Sequence, residues 1–171
     1  FYKCTSLKKV DNLNKVKSIG NMAFSTCPSL TSVGNLGNVT SLGEYAFTYC
    51  SSLTSVGDLS NVTDIGKRAF AGCISLQSIG NLPKVTTIGE WTFAGCAALK
   101  SVGNMPNVTS LAHGAFAGYT LYDDDGQKIR TDYCTSLQSI GNMPKLTTIG
   151  DSAFSRCSSL TSVGDLGNVT N

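Results

Sequence analysis

Cys50 to Gly72 reads CSSLTSVGDLSNVTDIGKRAFAG, with apolar residues at Leu53, Val56, Leu59, Val62 and Ile65, then Ala69 and Phe70. A spacing of three fits neither an alternating strand nor the 3.6-residue period of an amphipathic helix, so the chain must bend between inward side chains. The Gly57-Asp58 pair is one natural bend. A coil this short cannot bury so many apolar groups alone and needs neighbours that share a core. The rest of the chain supplies them. Cysteines at 4, 27, 50, 73 and 96 stand 23 residues apart, and Cys134 and Cys157 repeat the interval. The 38 residues from Cys96 to Cys134 are one unit plus 15 inserted residues, with Tyr119 standing where the cysteine is expected. About seven units therefore stack into a solenoid over residues 1–171.

Each unit predicts a short strand around Leu53 to Val56, stacked in parallel on its equivalents at about 4.8 Å per turn. A second short strand is expected around Val62 to Ile65. The segment ending A-F-x-x-C is the place for a helical or 3-10 turn on the opposite wall.

The unit C-x-x-L-x-x-(V/I)-G-(N/D)-(L/M)-x-x-(V/L)-(T/K)-x-(I/L)-G-x-x-(A/T)-F-x-x resembles the BspA-type, or Treponema pallidum type, leucine-rich repeat. GEYAFTYC and GEWTFAGC carry the likeness most clearly. The resemblance implies an α/β-type repeat fold, a right-handed leucine-rich-repeat solenoid. It also implies an extracellular or cell-surface protein with a structural or adhesive role in contacting other proteins. One column departs from the family pattern: Asn12, Asn35, Asp58, Asn81, Asn104, Asn142 and Asp165 stand where an inward apolar residue is usual, and Leu or Met follows instead of Pro. Short amide and carboxylate side chains there suit bonds to turn backbone or to their stacked copies.

Composition narrows the function. Thirteen Lys plus Arg against eleven Asp plus Glu give a formal charge of +2, with no basic block for nucleic acid or a membrane surface. No apolar run approaches the ~20 residues of a membrane helix, so membrane insertion is not expected. A single histidine, His113, leaves little material for acid-base catalysis. The chain reads as no enzyme and calls for no cofactor. The cysteines lack the paired spacing of a zinc site. In-register stacking suits buried free thiols better than disulfides, with a disulfide or reactive thiol near an end as the alternative.

Asn-Val-Thr recurs at Asn38, Asn61, Asn107 and Asn168, in one phase of the unit, with Lys15, Lys84 and Lys145 at the same phase elsewhere. The column is either a plain polar face or a line of N-linked glycans. The insertion, Tyr119 to Tyr133, reads YTLYDDDGQKIRTDY, and its two strand-like flanks around DDDG predict a protruding β-hairpin or a loop. Asp123 and Asp125 do not complete a calcium loop, because no Glu closes it. The residue pair before A-F varies from unit to unit, and Tyr45, Arg68 and Trp91 in it are types that anchor interfaces. With Tyr119, Tyr122 and Tyr133 they form the candidate contact set, unless they are scattered surface residues.

Phe1 and Asn171 both fall in mid-unit, which leads to the expectation of a piece or unit of a longer array, possible partners being another protein or further copies stacked head to tail into a fibre. A glycan-decorated rod and a receptor-like module using the variable column and the hairpin are the two functions this reading leaves open.

Overall fold

The computed structural model describes residues 1–122 and 125–171, and in it the repeat winds into a stack of about seven turns. Each wall is built from very short pieces. One stack of two-residue parallel strands runs Lys9–Val10, Ser32–Val33, then Ser78–Ile79, Ser101–Val102, Ser139–Ile140 and Ser162–Val163. A second runs Ser18–Ile19, Ser41–Leu42 and Asp64–Ile65, then Thr87–Ile88, Ser110–Leu111 and Thr148–Ile149. In both, a Ser, Thr or other polar residue points out and a Val, Ile or Leu points in.

The three-residue spacing has a simple cause. Leu30 N–H donates to Cys27 C=O at 3.0 Å and Val39 N–H to Leu36 C=O at 2.8 Å. The chain thus turns a corner between inward side chains, and each corner exposes its own polar residues. Leu30, Val33, Leu36, Val39 and Leu42 are all buried as a result.

The wall carrying A-F-x-x-C holds no helix, contrary to the expectation. Its amides alternate. Phe47 N–H and Tyr49 N–H donate to Ala69 C=O and Ala71 C=O of the next turn, at 2.8 and 2.9 Å, while Thr48 N–H and Cys50 N–H bond three residues back within their own turn. A helix needs consecutive amides to bond along one segment, and here every second one is committed to a neighbour. In three successive turns the alternation brings two residues each into the left-handed region, Tyr45 and Tyr49 at φ 57° and 59°, Arg68 and Gly72 at 57° and 70°, Trp91 and Gly95 at 56° and 70°.

Behind this wall the phenylalanines form one column. Phe1, Phe24, Phe47, Phe70, Phe93, Phe116 and Phe154 stack with centroids 5.2 to 5.5 Å apart. The cysteines stand beside it, all seven as free thiols. Each thiol from Cys27 onward donates to the carbonyl of a Phe in the preceding turn, as Cys50 Sγ does to Phe24 O at 3.0 Å. Cysteine is thus a small core residue that also satisfies a carbonyl the turn leaves over. Cys134 Sγ to Phe93 O at 3.1 Å shows that Cys134, and not Tyr119, occupies the cysteine position of the turn with the insertion. Tyr119 is excluded from the core because the chain leaves the stack just before it.

The inserted strands Tyr119–Tyr122 and Lys128–Asp132 pair antiparallel as a hairpin; Asp123 lies outside the described residues. The hairpin does not protrude. It folds back along the outside of the turns that precede it, and those turns are shaped to receive it. Ala71-Gly72, Ala94-Gly95 and Ala117-Gly118 hold positions filled elsewhere by Thr48-Tyr49 or Ser155-Arg156. A β-carbon on Gly95 would stand 2.8 Å from Tyr119 Cβ, and one on Gly118 would strike the Tyr133 ring.

The Asn/Asp column does both things expected of it, and proline decides which. At three corners where the second residue after it has an N–H, the side chain caps its own corner: Asn35 Oδ1 accepts from Gly37 N at 2.7 Å, Asp58 Oδ1 from Ser60 N at 2.8 Å, and Asp165 Oδ1 from Gly167 N at 2.8 Å, while Asn12 Oδ1 accepts from the Asn14 side-chain amide at 3.1 Å. Pro83 and Pro106 offer no such donor. There the oxygen turns to the next turn, Asn81 Oδ1 accepting from Asn104 N and Asn104 Oδ1 from Asn142 N, both at 2.9 Å.

Both strand stacks are interrupted at the change from one corner type to the other, between the Cys50 and Cys73 turns. Ser55 contributes only an isolated bridge to Ser32, and Asp64–Ile65 and Thr87–Ile88 do not pair. The turns also stand further apart here. A β-carbon on Gly66 would lie 2.5 Å from Glu44 N, whereas one on Gly89 lies 3.8 Å from Lys67 N. The opposite wall is unbroken, with Phe70 N–H donating to Thr92 C=O at 2.9 Å.

Candidate interaction surface

The variable column and the hairpin meet. Tyr45, Arg68 and Trp91 succeed one another on adjacent turns, each held outward by its left-handed backbone. Arg68 is the centre of the group. Its Nη1 donates to Tyr45 Oη at 2.8 Å, and its guanidinium carbon lies 5.6 Å from the centroid of the Tyr45 ring and 5.8 Å from that of Tyr119. These are cation–π distances. Next to it, Lys67 Nζ and Glu90 Oε2 form an ion pair at 2.5 Å. The hydrogen bond from Lys67 holds the Glu90 carboxyl below its ordinary pKa.

The hairpin is anchored by a residue the sequence did not single out. Tyr49 donates its hydroxyl to Thr120 O at 3.0 Å and sets its ring 5.4 Å from that of Tyr119. Burial pushes the Tyr49 hydroxyl well above its usual pKa, so it stays a donor. The sequence signal was present in the run of Ala-Gly pairs, which marks a bare strip of wall beside Tyr49.

Hairpin and wall enclose a cleft of about 400 Å³ lined by Tyr49, Arg68, Trp91, Tyr119, Thr120 and Tyr122. Tyr122 is exposed at its rim. On the far side of the hairpin base a cleft of about 250 Å³ runs between Trp91, His113 and Tyr133. The Trp91 and His113 rings meet edge-on at 4.8 Å, and Arg156 lies 4.9 Å from the Tyr133 ring centroid. The structure therefore gathers Arg68, Trp91, Tyr119 and Tyr122 around one cleft, with Tyr45 against Arg68 behind it, and sets Tyr133 on the other flank of the hairpin.

The Asn-Val-Thr column lies elsewhere and is built into the stack. Each amide nitrogen, the atom to which a glycan attaches, donates to a backbone carbonyl 24 residues earlier: Asn38 to Asn14 O, Asn61 to Gly37 O, Asn107 to Pro83 O and Asn168 to Pro144 O, at 2.6 to 2.7 Å. Lys84 and Lys145, in the same column, donate to Asn61 Oδ1 and Asn107 Oδ1 at 2.7 Å.

The thiols offer little chemistry. Burial pushes Cys50 and Cys134 up to about 12 and Cys157 to about 11, and raises Cys73 and Cys96 as well. A thiol kept protonated is neither nucleophile nor metal ligand. Among the described residues no group of His, Cys, Asp and Glu is placed to hold a metal, and no helix is long and apolar enough to cross a membrane.

Comparison with known proteins bears on the same surface. The sequence profile described as the BspA type leucine rich repeat region matches in six copies over residues 1–122 and 131–171. The gap falls within the hairpin. The structure is similar to that of a leucine rich cell surface protein from Faecalibacterium prausnitzii, with 31% identity, TM-score 0.76, and coverage of 92% of this chain and 38% of that one. It is also similar to a leucine-rich repeat protein from Bacteroides ovatus, with 25% identity, TM-score 0.66 and coverage of 95% and 44%. The T. pallidum leucine rich repeat protein shares the fold at 24% identity and TM-score 0.59, with coverage of 85% and 72%. The chain spans less than half the length of the first two. No curated protein sequence matches it.

Proposed function

The chain belongs to the BspA type leucine-rich repeat family, and from that premise we propose that it is a non-catalytic cell-surface solenoid that holds a protein partner against its hairpin wall. The observation that supports this most is the contrast between walls. The strand walls present Ser and Thr, small groups that offer hydrogen bonds and few anchors. The hairpin wall gathers Arg68, Trp91, Tyr119 and Tyr122 around one cleft, with Tyr45 packed on Arg68, and such residues dominate binding energy at interfaces. A cell-surface setting is supported by the description of the F. prausnitzii protein. Adhesion is the role such a wall serves best there, and the fold supplies it with a rigid backing.

The Asn-Val-Thr column is assigned to tying turns together, since its amide nitrogens are already engaged. A photo-crosslinking side chain at Trp91 or Tyr122 should trap a partner when the protein is presented to cells, and the same group at Thr86 or Thr109 should not. Equal trapping from both walls overturns the assignment.

A further inference from the structure

Arg68 lines the cleft and forms no ion pair among the described residues. Among the described residues its guanidinium has no carboxylate within ion-pair distance; the neighbouring Glu90 is taken by Lys67. Nη1 is spent on the neutral Tyr45 hydroxyl, and Nε is enclosed with no hydrogen-bond partner at all. A half-buried guanidinium whose Nε is enclosed without a partner and which is walled by Tyr45 and Tyr119 is favoured further when an anion completes it. It also faces the cleft of about 400 Å³ between hairpin and wall.

We propose that this cleft receives a carboxylate from an acidic segment of the protein partner, with Arg68 as its counter-ion and the rings of Tyr49, Trp91 and Tyr119 as walls for the flanking side chains. The proposal rests on the hairpin wall being the contact face. The lining selects the ligand class. Guanidinium and phenol hydroxyl are donors, and a planar carboxylate matches a guanidinium fork. Among the described residues none that lines the cleft is an Asp, Glu, Asn or Gln, and the Tyr49 hydroxyl is already donated to Thr120 O, so a neutral sugar meets few acceptors for its own hydroxyls there. Rings beside the cation favour an acidic residue next to an aromatic or aliphatic one.

Trp91 is the only tryptophan and lines this cleft, so its fluorescence reports on the hairpin wall. The probes are acetyl-Glu-Phe-Glu-amide, its Gln-Phe-Gln counterpart, and a galacturonate trimer. The acidic peptide should change Trp91 emission saturably and bind on the order of tenfold more tightly than the amide peptide. The preference should shrink with added salt, vanish in R68Q and return in part in R68K. Circular dichroism confirms that the variants fold, and if R68Q does not, the Glu-to-Gln and salt comparisons on the unaltered protein carry the same test. No saturable response, equal binding of the two peptides, or an acid preference that survives in folded R68Q overturns the proposal. Tighter binding of the galacturonate trimer overturns it in favour of acidic glycans. Partner trapping from Tyr122 that persists in such a case leaves the contact wall standing without the carboxylate, whereas loss of trapping from the whole wall removes the premise.

Discussion

The two turns before Gly72 and the two after it use the same corner residue differently. In the first group Asn35 and Asp58 cap their own corners through Gly37 and Ser60. In the second, Pro83 and Pro106 remove that donor, and Asn81 and Asn104 reach across to the next turn. One missing N–H redirects a side chain, and both strand stacks break at the turn where the change occurs. The Phe column, the thiols and the hairpin ignore the boundary. A solenoid can thus hold two conformational dialects on one wall because its other wall carries the continuity.

The largest effect expected is that of pH, and it should be the same on both sides of the boundary. The folded-state pKa of each buried thiol lies above the unfolded value of about 9, so the unfolded chain loses its proton first. Stability is intact below pH 9 and falls as pH rises toward 12, by about 1.4 kcal/mol per unit for each thiol that stays protonated. Urea unfolding between pH 8 and 11 under reducing conditions measures this. Cys50→Ala and Cys134→Ala should each lower the slope by one proton; a change in only one of them would show that the thiol column is not continuous.

Phe70→Ala removes a fully buried ring from the column that crosses the boundary. It should cost about 3–5 kcal/mol in denaturant unfolding, and the two groups of turns should begin to unfold separately. A cost below about 1 kcal/mol on this scale means that the strand walls, not the ring column, join them.

Gly95→Ala places a methyl group against Tyr119 at a backbone φ of +70°. The expected cost is about 1–3 kcal/mol, with the hairpin loosened from Tyr49. Faster hydrogen exchange at Gly89 in this variant would show that the hairpin braces the open boundary. Unchanged exchange would confine it to the contact face.

Pro83→Gly restores a donor beside Asn81 and should let it cap its own corner, changing stability by no more than about 1 kcal/mol. The sensitive readout is the Asn104 amide, which now bonds Asn81 Oδ1 at 2.9 Å and should exchange faster once that oxygen turns away. In the unaltered protein the Gly89 amide should exchange faster than that of Gly66, which donates to Leu42 O at 2.8 Å. Equal rates would show the break in the strand stacks to be closed in solution.

Much of this architecture was legible in the repeat. Leu53, Val56, Leu59, Val62 and Ile65 announced an inward residue every third position, and a 23-residue period left stacking as the way to bury them. The A-F-x-x-C wall was misjudged because local pattern cannot reveal where an amide donates: Phe47 and Tyr49 bond to Ala69 and Ala71, more than twenty residues away. Tyr119 was misassigned for a related reason, since only the stack shows that Cys134 fills the core position. Tyr45, Arg68 and Trp91 stood out as variable residues, whereas Tyr49 was marked only indirectly, by the Ala-Gly pairs that follow it at the same phase.

The sequence by itself determined the unit, its phase, the outward column and the position of the insertion, because each follows from which residues repeat and which do not. Only the tertiary structure decided that the insertion lies down along the Ala-Gly strip, that Arg68 ends between the rings of Tyr45 and Tyr119, and that the strand stacks part between two kinds of corner. Those outcomes depend on contacts between turns, where distance in space is a few ångströms and distance along the chain is a full repeat or more.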